Sequence, residues 1–194
     1  MVSFIHGLVA LMLSAYQVFV VPNSCGDGTT KLEYWILVNS GGYFLYDMIS
    51  MAWFKLLDLD MTVHHSLCIA GICVVLNEGH DGGFVVAGLF VAEVSNPAMH
   101  MRVMLRDLGK RYTKAYEVAE YTYFVMFFFG RVIMGHPTVW NTITCHSMHW
   151  LAKFVSLGVL GQSYLFLYRM YFIARARIKE TTERSKYGFK FYWF

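Results

Sequence analysis

The chain has 194 residues, 57% of them hydrophobic, 18% aromatic and only 15% charged, whereas soluble domains carry roughly a quarter charged residues and under half apolar ones. Too little polar side chain remains to cover a water-facing surface, so hydrocarbon must solvate much of the molecule. The net charge of +3 is gathered loop by loop rather than along one face, which argues against a nucleic-acid partner.

A membrane-crossing helix needs roughly 20 mostly apolar residues. Runs of that kind are predicted at about 2–21, 33–54, 61–77, 84–104, 117–137 and 150–173. The first lacks a basic leader and a small-residue cleavage pattern, so it reads as a membrane helix rather than a signal peptide. Pro22-Asn23-Ser24 and Gly26-Asp27-Gly28 follow it, and Asn77-Glu78-Gly79 to Asp81-Gly82-Gly83 separates the third run from the fourth; both are turn-forming clusters. The third run is short and is expected to extend into its flanks. Pro97 removes a backbone donor and should kink the fourth helix. The fold class is therefore all-α integral membrane, with about six transmembrane helices.

Basic residues orient the bundle. Arg106, Lys110, Arg111 and Lys114 lie between the fourth and fifth runs, and Arg175, Arg177, Lys179, Arg184, Lys186 and Lys190 follow the sixth. Basic loops stay cytosolic, which puts both termini and the loop around Lys55 in the cytosol. Residues 176–194 read as a basic, aromatic cytosolic tail whose end could lie along the headgroups. Cys25 and Cys145 then share the opposite side, where a disulfide is chemically permitted; whether they approach closely enough is open. Cys68 and Cys73 read as small buried hydrophobes.

Charges at membrane depth are costly and are functional candidates by default. His6, Asp47, His64, His65, Glu93, Ser95, Asn96, His100 and Arg131 all fall within the apolar runs. At 1.5 Å per residue, His6, His64, His65 and His100 lie about 5–6 Å from the cytosolic ends of their helices and Asp47 about 10 Å. Glu93 sits near mid-membrane and Arg131 roughly 20 Å from the cytosolic end of its helix. Most of these groups occupy the cytosolic half of separate helices, as a buried polar pocket requires. Adjacent His64 and His65 diverge by about 100° on a helix, so one alone should face a given substrate atom. That imidazole can serve as a general base near neutral pH, with Asp47 orienting it. The same residues could instead tie helices together by hydrogen bonds. Arg131, beside Phe127-Phe128-Phe129, is expected to pair with Glu93, a lipid phosphate being the alternative partner.

Eight histidines invite a metal reading. Only His146-x-x-His149, beside Cys145, and the His64-His65 pair are suggestive, and the topology places them on opposite sides of the membrane. The Cys145, His146 and His149 set is one ligand short of a zinc site. No metal is expected.

Ser3-Phe4-Ile5-His6-Gly7, Gly42-Tyr43-Phe44-Leu45-Tyr46-Asp47, His64-His65, Glu93-Val94-Ser95-Asn96-Pro97 and Phe129-Gly130-Arg131, in that order, resemble the TLC-domain family, which includes ceramide synthases. The likeness covers about residues 1–175. It implies a six-helix bundle or barrel around a lipid-sized cavity, in the endoplasmic reticulum or a related membrane. In ceramide synthases the paired histidines act in acyl transfer from acyl-CoA to a sphingoid amine, which carries over to His64 and His65. Those enzymes carry a histidine and two aspartates on the fourth helix; here only Glu93 supplies a carboxylate, which speaks against ceramide synthesis itself. The expected function is membrane lipid homeostasis, as an acyl-CoA-dependent acyltransferase with His64, His65, Asp47 and Glu93 at its centre. The alternative is a non-catalytic lipid-binding, sensing or carrier protein. Membrane lipids are the expected partners, acyl-CoA the expected co-substrate, and no bound cofactor is anticipated.

Overall fold

The computed structural model describes residues 2–188 and 192–193, and these form an all-α integral membrane protein. Helix α1 spans Val2–Val20 and ends before Pro22, which cannot continue the ladder. Helix α2, Lys31–Trp53, starts on a capping box: Thr30 accepts the Glu33 N–H, and Glu33 accepts the Thr30 N–H in return. Glu33 also accepts a hydrogen bond from Gln17, joining α2 to α1.

Helix α3, Leu59–Glu78, extends the third predicted run at both ends and stops at Gly79, whose φ of 74° closes the last turn as only glycine does without strain. The fourth pass is two helices, α4 (Gly82–Glu93) and α5 (Asn96–Asp107). They meet at a break over Val94 and Ser95, just before Pro97. The fifth pass is α6 (Lys114–Phe128), a π-helical segment (Phe129–Met134) and α7 (Gly135–Thr144). Gly130 lets this segment lie against α4: a Cβ there would stand 2.9 Å from the Val91 carbonyl oxygen.

Helix α8, Trp150–Lys186, has 37 residues. At 1.5 Å per residue it is about 55 Å long, well beyond a hydrocarbon core of roughly 30 Å. Residues from 176 to 186, expected as tail, are the last turns of this helix. Of the aromatic end, Phe189, Lys190, Phe191 and Phe194 lie outside the described residues. Tyr192 accepts the Lys114 N–H at 2.7 Å, and the Lys114 ammonium lies over the Trp193 ring.

Five passes (α1, α3, α4 with α5, α6 through α7, and α8) are long and apolar enough to cross a membrane. Helix α2, with 23 residues, is as long but more polar, carrying Asn39 and Asp47. Outward-facing Met12, Phe19, Trp35 and Leu165 are all more than 60% exposed, a surface that suits lipid rather than water. α1 packs on α4, α2 on α3, and α3 on α8. The apolar core of Leu37, Ile72, Val75, Val86 and Leu89 sits among α2, α3 and α4.

The two ends are tied differently. At one end a Cys25–Cys145 disulfide, with Cα atoms 5.4 Å apart, joins the α1–α2 and α7–α8 linkers. Beside it Asp81 is fully buried with a φ of 62°; it accepts the Gly26 N–H and the Ser147 hydroxyl, each at 2.7 Å, and lies 2.8 Å from His80 Nδ1. Burial alone would raise the Asp81 pKa. The Gly26, Ser147 and His80 contacts outweigh it and hold the carboxyl below its ordinary value. At the other end Glu120 receives Arg102 at 2.9 Å and Arg177 at 3.2 Å, and the Tyr116 hydroxyl donates to it at 3.2 Å. This network locks α5, α6 and α8 together.

Candidate functional site

The break between α4 and α5 builds the site. Glu93 ends α4 with its side chain buried, and its Oε2 accepts the Asn96 amide at 2.8 Å across the break. Ser95 is buried within the break itself. Helix α1 approaches here because Gly7 has no side chain: a Cβ would lie 3.4 Å from Glu93 Oε2, 3.6 Å from Asn96 Cβ and 4.0 Å from His100 Cδ2. The preceding His6 stacks on Tyr43 of α2, ring centroids 3.8 Å apart, and meets Phe44 edge-on at 6.0 Å.

Phe44 also stacks on His65, at 5.1 Å, so one aromatic ring separates the imidazoles of α1 and α3. One turn along α2, Asp47 Oδ2 lies 3.6 Å from His65 Nδ1, ion-pair range but beyond a hydrogen bond. His65 Nδ1 and His6 Nε2 are both buried without a hydrogen-bond partner among the described residues. The structure therefore brings His6, Asp47, His65, Glu93, Asn96 and His100 to one place, from α1, α2, α3, the end of α4 and the first half of α5.

Two predicted residues face elsewhere. The His64 and His65 rings stand 5.8 Å apart, and His64 turns toward α8. Its Nδ1 lies 3.2 Å from Gln162 Oε1, and Nε2 lies 3.8 Å from the Cys68 sulfur. Gln162 in turn donates to the Asp60 carbonyl at 2.6 Å, fixing its own orientation. The expected Arg131–Glu93 pair is not formed. The π-helical segment instead directs Arg131 toward α8 and α4, where it donates to Ser163 Oγ at 3.3 Å and the Ala92 carbonyl at 3.2 Å. Arg131 lines a cavity of about 110 Å³ bounded by α3, α4, α7 and α8, walled otherwise almost wholly by apolar groups.

The Cys145, His146 and His149 trio has other duties. Cys145 is in the disulfide, His149 Nδ1 accepts the Leu151 N–H to cap α8, and His146 Nδ1 lies 3.5 Å from the Cys25 sulfur. Several contributors escaped the sequence reading. Tyr43 and Phe44 look like ordinary apolar-face residues until two histidines stack on them. Gln162 is, by sequence, only a polar residue within an apolar run.

The family model of the TLC domain matches residues 1–176. TLC domain-containing protein 1 of Gallus gallus is 24% identical over 179 residues, covering 89% of this chain and 69% of that protein. No solved structure matches. A nearer likeness of residues 63–72 and 93–106 to TLC domain-containing protein 5 is not supported; the match fixes the family and no particular member. With its motifs set in order on successive helices and the family model spanning all but the last residues, this chain belongs to the TLC-domain family.

Proposed function

We propose that the protein works in membrane lipid homeostasis as an acyl-CoA-dependent lipid acyltransferase, in the endoplasmic reticulum or another endomembrane, with His65 as its general base. The carrying observation is the convergence of buried His65 and Glu93 with half-buried His6 and Asp47 in one cluster, where the His6 Nε2 and His65 Nδ1 atoms are buried and lack hydrogen-bond partners among the described residues. Unsatisfied buried nitrogens are costly and are tolerated where a ligand supplies the partner. In this reading His65 takes the proton from an acceptor amine or hydroxyl as it attacks the thioester carbonyl. The imidazolium, steadied by Asp47, then returns the proton to the departing CoA thiolate. His64, held by Gln162, positions the helix turn rather than touching the acceptor.

The purified chain, given acyl-CoA and a mixed pool of lipid acceptors, should form an acylated product detectable by mass spectrometry. His65→Ala should abolish product, while His64→Ala should lower it less. Wild-type turnover by a folded His65→Ala variant would overturn the assignment. A second reading, a non-catalytic carrier or sensor, is favoured by the satisfied state of Glu93 on Asn96. It predicts an intact co-purified lipid, bound equally by both variants, and no product.

A further inference from the structure

Arg131 is a buried cation with no carboxylate at ion-pair distance among the described residues. Its side chain is more than nine-tenths buried, its two terminal nitrogens reach neutral oxygens, and the face of Phe127 lies 5.7 Å away. Its Nε is buried with no hydrogen-bond partner among the described residues. The Ser163 hydroxyl spends its own proton on the Val159 carbonyl. No carboxylate forms an ion pair with Arg131 among the described residues; Glu93, held by Asn96 on the adjoining helix, attracts it only from beyond ion-pair distance. A guanidinium at membrane depth without a close carboxylate is expensive, and an anion brought by a ligand would offset that cost.

The surroundings define that ligand. Arg131 lines the cavity of about 110 Å³ together with its hydrogen-bond partner Ser163, and the apolar walls include Ile72, Leu89 and Val155. A dry cavity of about 150 Å³ holds one benzene, so this one admits a small head and a few methylenes but no glycerophosphate headgroup. Phe84 and Val139 in its wall are only half-buried, which gives the rest of a chain a way out to the bilayer hydrocarbon. The π-helical turn is what places the guanidinium here, and single turns of this kind are frequent at functional sites.

We propose that Arg131 and this cavity form a binding site for the carboxylate end of a free fatty acid. The site is separate from the His65 cluster and requires no chemistry there, so it stands or falls independently of acyl transfer. Binding of carboxyl-labelled oleate to the full chain in a non-ionic detergent tests it, with oleyl alcohol and oleyl phosphate as competitors. Oleate should bind saturably, and oleyl alcohol should compete weakly. Arg131→Gln should weaken binding by about tenfold or more, the value of a hydrogen-bonded charge. Gly88→Leu keeps the charge but fills the cavity. A Cβ at Gly88 meets nothing within 4 Å, so this variant should fold normally and still lose binding. Equal competition by the alcohol, tighter binding of the phosphate, or wild-type affinity in a folded Gly88→Leu variant would each overturn the proposal.

Discussion

Arg177 and Arg131 are buried to nearly the same degree, at 8% and 6% exposure, but one lies at the end of the bundle and the other in its middle. Arg177 has the Glu120 carboxylate at 3.2 Å, the Arg111 carbonyl at 2.8 Å and the rings of Tyr112 and Tyr116 against its guanidinium. Arg131 has two neutral oxygens and one ring. The pattern holds for Asp81 at the opposite end, a buried carboxylate fully supplied with donors. Charges that hold the ends together are matched at contact distance within the protein, whereas Arg131 has no carboxylate at that distance among the described residues. A buried charge that is structural brings its own counter-group; the site proposed at Arg131 would take its counter-group from a ligand.

The sharpest way to break this contrast is Glu120→Ala. It strips Arg102 and Arg177 of their shared anion and should cost about 3–5 kcal/mol, seen as an early thermal transition in detergent. An unchanged transition would mean that the carboxylate is not what makes Arg177 tolerable. Removing the clasp at the other end with Cys25→Ser and Cys145→Ser should cost about 2–4 kcal/mol, measurable in the same melt.

Asp81→Asn should cost about 1–3 kcal/mol at neutral pH. Because the folded carboxyl titrates below its unfolded value of about 3.9, its contribution is complete above that pH. It is lost as pH falls through the lower folded value. Wild type and Asp81→Asn should therefore differ at pH 7 and converge in acid; a constant gap would place Asp81's role outside its charge. The smallest effect is expected for Arg131→Met in protein stripped of fatty acid, where stability should hold or rise by up to about 1 kcal/mol. A loss as large as that of Glu120→Ala would show that Arg131 is structurally matched after all.

The sequence disclosed the passes and their polar cargo because hydropathy and the cost of a charge in lipid are local quantities. The divergence of His64 and His65 was equally legible, being a property of any helix turn. The partner of Arg131 was not. The π-helical segment shifts the register of the fifth pass after Phe128, and that shift, not the residue spacing, turns the guanidinium from Glu93 toward Ser163. Asp81 was hidden for a different reason: an aspartate among turn residues looks like a solvated cap until the disulfide folds the α7–α8 linker over it. Gln162 acquires meaning only once α3 and α8 are known to pack together.

The disulfide has a mechanical consequence. It fastens the linker between α1 and α2 at one face of the bundle, while the side chains that those helices give to the cluster, His6, Tyr43 and Asp47, lie toward the other. The bond closes residues 25 to 145 into one covalent loop that contains α2 to α7, so these six helices stay linked as a ring while α1 and α8 extend from it as its two free arms.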